Sequence, residues 1–396
     1  MTTEAALVAA IAAAPDDDAP RLVFADWLAE RGDLRGELIH LQVARAAMRA
    51  GDERAKPTQA RIDEFLEAHR TAWLGKLALL ARQGIQFSFD RGMIGVVMAR
   101  LGVLAKHAAG IVGAAPLVDT VNLVLDRVDR DLALLAPTPL PPRIRALTIA
   151  GGQASRVTGW EALALPALRK LFVGTVAFGP DELGAALAAP NLTSLHFDRC
   201  RFNKGSVEAF ARITGPLHSL GLQAAHLGPR LGEIAGRFHA LVEVSLAGNE
   251  LGGAGLTHLL PALRNINHLD LRGNALTAAD LPGLLDAIPR VQSLELGGNA
   301  LGDAGAAAIA QHPIAAQLTR LHLGEAGITS RGARALAAAP HLAALRSLVL
   351  TGKRFDPETE AILVASPHLA GARIYGGDRF LARAPAPRTG PSRSSG

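Results

Sequence analysis

The chain has 396 residues, of which 49% are hydrophobic and 19% charged, so it can bury a core and is not a largely disordered protein. Aromatic residues make up only 4%, which argues against a module that stacks sugars or unpaired bases on aromatic platforms. The one cysteine, Cys200, excludes an intramolecular disulfide and a cysteine-rich metal site, and it favours a reducing compartment.

The formal net charge of +5 is concentrated at the C-terminus. Residues 379–396 contain four arginines and no acidic residue, so the rest of the chain has 37 basic and 36 acidic residues. Because Pro, Ser and Gly are frequent there, residues 377–396 are predicted to form a disordered basic tail. The remaining net charge of +1 offers no basic excess to phosphate groups, which disfavours nucleic acid as a partner.

The apolar run near the N-terminus, Ala5 to Ala14, is too short to cross a membrane. Glu4 precedes the run without any Lys or Arg, and three aspartates follow it at residues 16–18. A secretory signal has the opposite charge pattern in front of its apolar segment. The sequence therefore predicts a cytoplasmic protein without a membrane contact.

Residues 1–82 have the apolar spacing of helices. Val23 and Trp27 are four residues apart, as are Phe24 and Leu28, and Gly32 is suited to end that helix. Two further helices are indicated by apolar residues at helical spacing, the first by Leu34, Leu38, Leu41 and Met48, the second by Ile62, Phe65, Leu66, His69 and Trp73. We therefore predict a small all-α domain over residues 1–82 that packs against the segment following it.

A repeat of about 25 residues occupies most of the remaining chain. Residues 241–251 have the form LxxLxLxxNxL, which recurs at residues 266–276 and 291–301. Looser copies begin at Leu168, Leu192, Leu217, Leu318 and Leu345, and weaker copies begin at Val118, Ile144 and Leu369. A proline stands two residues before the first position in six copies: Pro116, Pro142, Pro166, Pro190, Pro289 and Pro367. Alternation within each copy directs positions 4 and 6 inward and positions 3, 5 and 7 to the opposite face, which predicts eleven stacked strands.

On these residues the chain resembles the leucine-rich repeat family, over roughly residues 83–376. The segments at residues 301–309 and 328–336 resemble the ribonuclease-inhibitor and GALA-type subclasses. The resemblance implies an α/β solenoid with a parallel concave sheet and convex helices. Position 9 reads Val176, Cys200, Ala225, Asn249, Asn274, Asn299, Ala326 and Lys353. In this family Asn or Cys at position 9 satisfies backbone groups where the chain bends, so the three consecutive asparagines are expected to form a ladder.

Two N-terminal segments resemble a second family. Residues 21–42 (RLVFADWLAERGDLRGELIHLQ) are similar to the repeat-companion domain that precedes leucine-rich repeats in bacterial proteins. Residues 89–93 (FDRGM) resemble the junction found in such chains. The resemblance implies a bacterial protein and this domain order, with no chemistry to carry over. The predicted division is therefore 1–82 for the helical domain, 83–376 for the solenoid and 377–396 for the tail.

Polar residues gather at positions 3, 5 and 7 of the central repeats, on the predicted concave face. Position 5 places Asp270, Glu295 and His322 side by side on successive strands. Two adjacent carboxylates there suit an Arg or Lys of another protein. We therefore predict a protein partner bound through Glu243, His268, Asp270, Arg272, Glu295, Arg320 and His322.

Other interpretations of this face stay open at the level of sequence. It could be a solvated surface without a ligand, since repeat proteins need polar outer residues. A metal or catalytic site formed by His268, Asp270, Glu295 and His322 is disfavoured, because an open sheet provides little desolvation and few groups to orient ligands. The chain also has no GxxxxGK[ST], HExxH, GxSxG, CxxC or EF-hand motif. We therefore predict a non-enzymatic scaffold without cofactor or metal; the alternatives are a stoichiometric enzyme inhibitor and an enzyme active through residues 1–82.

Overall fold

The computed structural model describes residues 3–49, 52–126, 130–203, 205–352, 355–377 and 379–382. The chain divides into two compact units, Met1–Val176 with Glu182–Asn191 and Ala177–Asp181 with Leu192–Gly396. We call them the first and second unit. The predicted position 9 residue Lys353 and most of the predicted tail lie outside the described residues.

Short helices and strands alternate through most of the chain. The α-helices are α1 Thr3–Ala13, α2 Ala19–Ala29, α3 Arg35–Ala47, α4 Ala55–Leu74, α5 Ala78–Ala81, α6 Leu101–Ala114, α7 Pro180–Ala186, α8 Arg230–Ala235, α9 Gly252–Leu259, α10 Leu281–Ala287, α11 Gly302–Gln311, α12 Ser330–Ala337 and α13 Pro357–Ala365. The 3-10 helices are Gly75–Leu77, Leu132–Leu135, Trp160–Ala162, Ser206–Arg212, Leu260–Asn265, Ala278–Asp280, Pro313–Gln317 and Pro340–Ala344. The strands are β1 Gln86–Asp90, β2 Met93–Arg100, β3 Thr120–Leu125, β4 Ala146–Arg156, β5 Lys170–Phe178, β6 Ser194–Asp198, β7 Arg201–Phe202, β8 Ser219–Gln223, β9 Glu243–Ser245, β10 His268–Asp270, β11 Ser293–Glu295, β12 Arg320–His322, β13 Ser347–Thr351, β14 Arg373–Gly377 and β15 Arg379–Ala382.

The first unit begins with helices and continues into strands. Helix α2 buries Phe24 and Leu28 in a cluster with Ile11 and Ile39, and α4 buries Ile62 and Phe65 against Leu38 of α3. Strands β1 and β2 form an antiparallel hairpin, and β2, β3 and β4 are parallel. The helices predicted in residues 1–82 are therefore confirmed. The compact unit runs across residue 82, so a domain boundary there stays a prediction.

Gln42 joins the helical segment to the hairpin. Its side-chain amide donates to the carbonyl of Phe89 at 3.1 Å, and its side-chain oxygen accepts from the amide of Gly92 at 2.6 Å. Arg91 and Gly92 have φ values of 46° and 75°, the conformation that a two-residue hairpin turn requires at both central residues. The two segments that resemble a companion domain thus contact one another in this chain.

The second unit is a parallel sheet with helices between its strands. Strand β6 pairs with β8, and β8 through β14 follow in sequence order, all parallel. Strand β7 pairs with residues 177 and 178 at the end of β5. Ten of the eleven predicted repeat strands begin two residues after the predicted repeat start, which confirms the repeat frame.

The last repeat departs from the predicted frame. Arg373 of β14 pairs with Ser347, the third position of the preceding repeat. The structural repeat therefore begins at residue 371, two residues later than the predicted start at Leu369. Leu369 is still buried, but the turn before β14 is longer because the Leu369 amide donates to Ser366 and the Ala372 amide donates to Leu369. Arg379–Ala382, which the composition places in the disordered tail, forms β15 and pairs antiparallel with β14.

The inward leucines and a ladder of asparagines form the core of the second unit. Leu269, Leu271, Leu294 and Leu296 are 0% exposed. Their alternation with outward polar residues is the pattern that the sequence predicts. The asparagines at position 9, Asn249, Asn274 and Asn299, are also buried, and each bonds to the backbone of a neighbouring repeat. The predicted ladder is therefore confirmed, while Cys200, at the same position of an earlier repeat, is buried.

Candidate functional site

The predicted binding residues lie in two rows across the sheet of the second unit. In the first row Glu243, His268, Ser293 and Arg320 are paired from strand to strand. In the second row Ser245 pairs with Asp270, Asp270 with Glu295, and Glu295 with His322. The sequence prediction that Asp270, Glu295 and His322 lie side by side is confirmed. We call the surface formed by these two rows and Arg272 the polar sheet face.

Asp270 lies beneath this surface rather than on it. Its residue exposure is 2%, and its carboxylate accepts from Arg272 Nε at 2.9 Å, from an Arg272 terminal nitrogen at 2.8 Å and from the Arg272 amide at 3.1 Å. The hydroxyl of Ser245 donates to the same carboxylate at 3.0 Å. Asp270 is thus fully occupied by its neighbours, and its geometry suits it to hold Arg272 in place.

The electrostatics of Asp270 and Arg272 agree with this geometry. Burial alone would raise the pKa of the Asp270 carboxyl, but the side-chain and backbone hydrogen bonds from Arg272 outweigh it and hold that pKa below its ordinary value of 3.8. The hydrogen bond to Asp270 raises the pKa of the Arg272 guanidinium, and this effect outweighs burial, which lowers that pKa. Both groups are therefore charged near neutral pH, as a bidentate arginine–carboxylate pair requires.

Arg272 and Ser245 extend this contact to neighbouring strands. The Nε of Arg272 lies 3.1 Å from an oxygen of Glu295, and the amide of Gln223 donates to the Ser245 hydroxyl at 2.7 Å. The linked side chains therefore run from β8 to β11. Because each is held by a neighbour, this part of the polar sheet face is ordered before any ligand arrives.

His322 lies at the other end of the second row, in a pocket made by glycines. A side-chain carbon at Gly297 would come within 2.6 Å of His322 Nδ1, and one at Gly324 within 3.0 Å of its ring, so both positions need glycine to admit the imidazole. Burial, then the charge of Arg272, lowers the pKa of His322 below 6.5. Its Nδ1 is buried without a hydrogen-bond partner in the described part of the chain. His322 is consequently neutral at physiological pH.

A second histidine occupies a similar position on the N-terminal side of the face. The Nε2 of His196 lies 2.9 Å from the Ser219 hydroxyl, and that hydroxyl lies 3.3 Å from a carboxylate oxygen of Glu243. Gly221 leaves the space for this ring, since a side-chain carbon there would lie 2.2 Å from His196 Nδ1. Burial lowers the pKa of His196. The cluster lengthens the polar sheet face by two strands beyond the predicted residues.

The residues available to a ligand are fewer than the sequence predicted. Glu243, Arg272 and Arg320 are exposed, and His268, Glu295 and His322 are half-buried. Beside them an open groove of ≈ 630 Å³ follows the carboxyl ends of the strands. Small residues line it, among them Ala247, Gly273, Gly297 and Gly324, and the side chains of Arg272 and His322 enter it. A backbone segment of another protein could approach the sheet closely at these small residues, because they present little or no side chain.

The same sheet continues through β13 and β14, which the repeat predicts, to β15, which it does not. Arg346, Arg373, Tyr375 and Phe380 are exposed beyond His322. The sequence contains a weak signal for the residues of β14, because the last repeat is recognisable there. Its predicted start is two residues earlier than the structural start. Among the residues that the structure describes, no three His, Cys, Asp or Glu side chains come close enough to hold a metal ion. In the same residues no helix has the length and apolarity to span a membrane.

Comparison with known families supports the repeat in part of the second unit. The model of the family described as "Leucine Rich repeat" matches residues 290–310 and 317–337. These two segments are therefore similar to leucine-rich repeats. Among solved structures, an internalin from Listeria monocytogenes matches with 14% sequence identity and a TM-score of 0.43, over 71% of this chain and 81% of that chain. No curated protein matches the sequence.

Proposed function

We propose that this protein is a non-catalytic interaction module that binds a protein partner through the polar sheet face of its second unit. The proposal includes the ribonuclease-inhibitor or GALA-type subclass of the repeat, the companion character of residues 1–82, and a bacterial, cytoplasmic setting. A chain with one cysteine, Cys200, is compatible with a reducing compartment. The predicted concave shape of the face belongs to the same proposal.

The observation that carries the proposal is the pre-ordered Asp270–Arg272–Glu295 contact in the middle of the polar sheet face. Ordering a long arginine side chain on binding normally costs about 0.5–1.5 kcal/mol. Asp270 removes much of that cost, since it fixes the guanidinium while leaving 43% of the Arg272 side chain exposed. A fixed, partly exposed arginine amid polar neighbours is a frequent anchor in protein interfaces.

The exposed residues supply groups of both signs to a partner. Glu243 offers a carboxylate, Arg320 a guanidinium, and His268 an imidazole on a strand between them. Side chains of this kind at the rim of an interface determine the choice of partner and the rate of association more than the affinity. Asp270 would act as a positioning residue, and it would not touch the partner.

The test is a quantitative pull-down from a native lysate with matched double variants. Glu243→Ala/His268→Ala removes two accessible groups of the polar sheet face, while Glu233→Ala/His258→Ala removes the same residue types from helices α8 and α9. We expect the first variant to lose a protein that wild type and the second variant both retain. Circular dichroism should show that all three chains are folded.

Two outcomes would decide against the proposal. If the first variant retains every protein captured by wild type, the polar sheet face is not the binding surface. If neither wild type nor either variant captures a protein, the polar sheet face is a solvated surface without a partner. If the retained partner is an enzyme, its activity at an equimolar ratio separates the inhibitor alternative, which abolishes turnover, from a scaffold, which leaves it intact.

A further inference from the structure

An exposed aromatic pair lies at the C-terminal end of the sheet in the second unit. Tyr375 of β14 and Phe380 of β15 are directly paired in the antiparallel register, with ring centroids 5.1 Å apart and ring planes at 60°. They are 38% and 47% exposed. Tyr375 is in line with Val349 and His322 of the preceding strands, so the rings lie on the same side as the polar sheet face.

Three arginines are near this pair along the sheet: Arg320 lies on β12, Arg373 lies on β14, and Arg346 directly precedes β13. Arg320 and Arg373 pair with Ser347 from opposite sides, and the Arg373 amide donates to the Arg346 carbonyl at 2.9 Å. Their strands are separated by one spacing each, so the three residues begin within about 10 Å of one another along the sheet. We call Arg320, Arg346, Arg373, Tyr375 and Phe380 the aromatic–arginine patch.

Among the described residues, this patch carries an excess of positive charge. All three arginines are exposed, and within the described residues none of them is in an ion pair. Strands β12, β13 and β14 contain no Asp or Glu. This differs from the middle of the sheet, where Asp270 and Glu295 neutralise Arg272. A ligand at the patch would therefore meet three free guanidinium groups next to an apolar surface.

We propose that the aromatic–arginine patch binds an acidic segment of a partner protein, whose carboxylates pair with the arginines while an apolar side chain packs on Tyr375, Phe380 and Val349. The inference rests on the proposed function and adds the chemistry of the partner. Arginine forms bidentate hydrogen bonds with carboxylates, and arginine and aromatic residues are enriched at the centres of protein interfaces. Val349, half-buried between His322 and Tyr375, provides the apolar floor.

Two observations favour a protein over a single-stranded nucleic acid. The tilted rings of Tyr375 and Phe380 cover part of each other, which leaves no pair of parallel faces for successive bases to stack on. The chain outside residues 379–396 carries 37 basic and 36 acidic residues, so it has no general field for a polyanion. Three arginines with an apolar surface fit a short acidic motif better than a long phosphate backbone.

The experiment is a fluorescence anisotropy titration of the full chain at low ionic strength with defined probes. The first probe is a short fluorescein-labelled peptide with glutamates on both sides of one leucine. The second has lysines in place of the glutamates, the third has serine in place of the leucine, and the fourth is a single-stranded oligothymidine of equal charge. We expect the order glutamate–leucine peptide tightest, glutamate–serine peptide weaker, and lysine peptide without binding.

Three variants localise the binding. Arg346→Gln/Arg373→Gln should weaken the glutamate–leucine peptide about tenfold, and Phe380→Ser should weaken it while leaving the glutamate–serine peptide unchanged. Arg201→Gln/Arg331→Gln removes the same charge from elsewhere in the second unit and should bind like wild type. Equal binding by the first variant and wild type, tighter binding of oligothymidine than of the peptide, or no binding of the peptide would each overturn the inference.

The pull-down separates this inference from the proposed function. A partner lost by Glu243→Ala/His268→Ala but retained by Arg346→Gln/Arg373→Gln would leave the proposed function in place and reject the aromatic–arginine patch. A partner lost by the patch variant alone would support the patch and reject the central part of the polar sheet face. Loss of the partner in both variants would support both the proposed function and the aromatic–arginine patch.

Discussion

The guanidinium of Arg272 folds back onto Asp270, two positions earlier in the chain, and holds its buried carboxylate through contacts of 2.8 and 2.9 Å. The two residues belong to one strand end, so the pair is made locally and does not depend on a neighbouring repeat. Glu295 and Ser245 then attach it to the strands on either side. The pair therefore contributes to stability as well as to the order of the polar sheet face.

Asp270→Asn should lower the free energy of unfolding by about 2 kcal/mol, because hydrogen bonds to charged groups contribute about 1.5–3 kcal/mol and an amide can satisfy only part of them. Urea unfolding at neutral pH measures the change. Asp198→Asn is the matched control, since Asp198 pairs with its exposed neighbour Arg199 on the same sheet. The control should change stability by less than about 0.5 kcal/mol. Equal losses of stability from the two substitutions would show that the Asp270–Arg272 pair contributes no more to stability than an exposed ion pair.

The same pair predicts a dependence on pH. The pKa of Asp270 is lowered in the folded chain, so its contribution is fully present above the ordinary value of 3.8 and is lost as pH falls through the lower folded value. The stability difference between wild type and Asp270→Asn should therefore be constant from about pH 7 to about pH 5 and shrink below about pH 4. A difference that stays constant down to about pH 3 would contradict the lowered pKa.

Much of this fold could be predicted from sequence because the repeat period and the strand alternation independently place the same residues in the core. Positions 4 and 6 of the repeats at Ile266 and Val291 are buried leucines, as the alternation predicts, and Thr277 and Asp280 form a capping box. Asp356 likewise accepts from the Thr359 amide at the start of α13. In each case a local rule and the long-range packing favour the same conformation.

The candidate site was less predictable, because alternation places a side chain on a face without showing whether it reaches solvent. Asp270 lies on the polar face, but Arg272 and Ser245 cover it. The aromatic–arginine patch depends on the register of β14, which a turn longer by two residues shifts away from the repeat pattern. Pairing of β15 could not be predicted either, since its composition is that of a basic tail.

The asparagine ladder gives a further prediction. Asn274 accepts from the amides of Asn249 and Leu251 at 3.3 and 3.2 Å and donates to the Leu246 carbonyl at 2.9 Å. Asn274→Ala would leave these buried groups without partners and should lower stability by about 3 kcal/mol or more. Differential scanning calorimetry measures the loss. Asn267→Ala, at an exposed position of the same repeat, should melt close to wild type; similar losses in both would argue against the ladder.

Position 8 has a left-handed backbone in all eight repeats from the one beginning at Leu168 to the one beginning at Leu345. Glycine adopts this conformation more easily than other residues. The position is occupied by Thr175, Arg199, Ala224, Gly248, Gly273, Gly298, Glu325 and Gly352, all with positive φ. Glu325→Gly should therefore be more stable than Glu325→Ala by about 1 kcal/mol, because both remove the carboxylate and only glycine relieves the strain at φ 56°. Guanidinium unfolding of the two variants provides the comparison, and equal stability would mean that this turn carries no strain.

The contact between helix α3 and the β1–β2 hairpin can be tested by replacing two glycines with alanine. Gly84 and Gly92 both have positive φ, but a side-chain carbon at Gly84 meets nothing within 4 Å, whereas one at Gly92 would lie 2.0 Å from Ile39 Cγ1. Gly84→Ala should therefore cost about 1–2 kcal/mol from backbone strain alone. Gly92→Ala should cost several kcal/mol more, because Ile39 is buried and has little freedom to move.

The measurement for this pair is thermal unfolding of the full chain, followed by proteolysis to locate the damage. Cleavage in Gly92→Ala should appear first within residues 1–100, because the clash separates α3 from the β1–β2 hairpin. Gln42→Ala should produce the same pattern more weakly, since it removes the bonds to Phe89 and Gly92 without a clash. If Gly92→Ala is no less stable than Gly84→Ala, the helix does not hold the hairpin, and the two companion-like segments are independent in this chain.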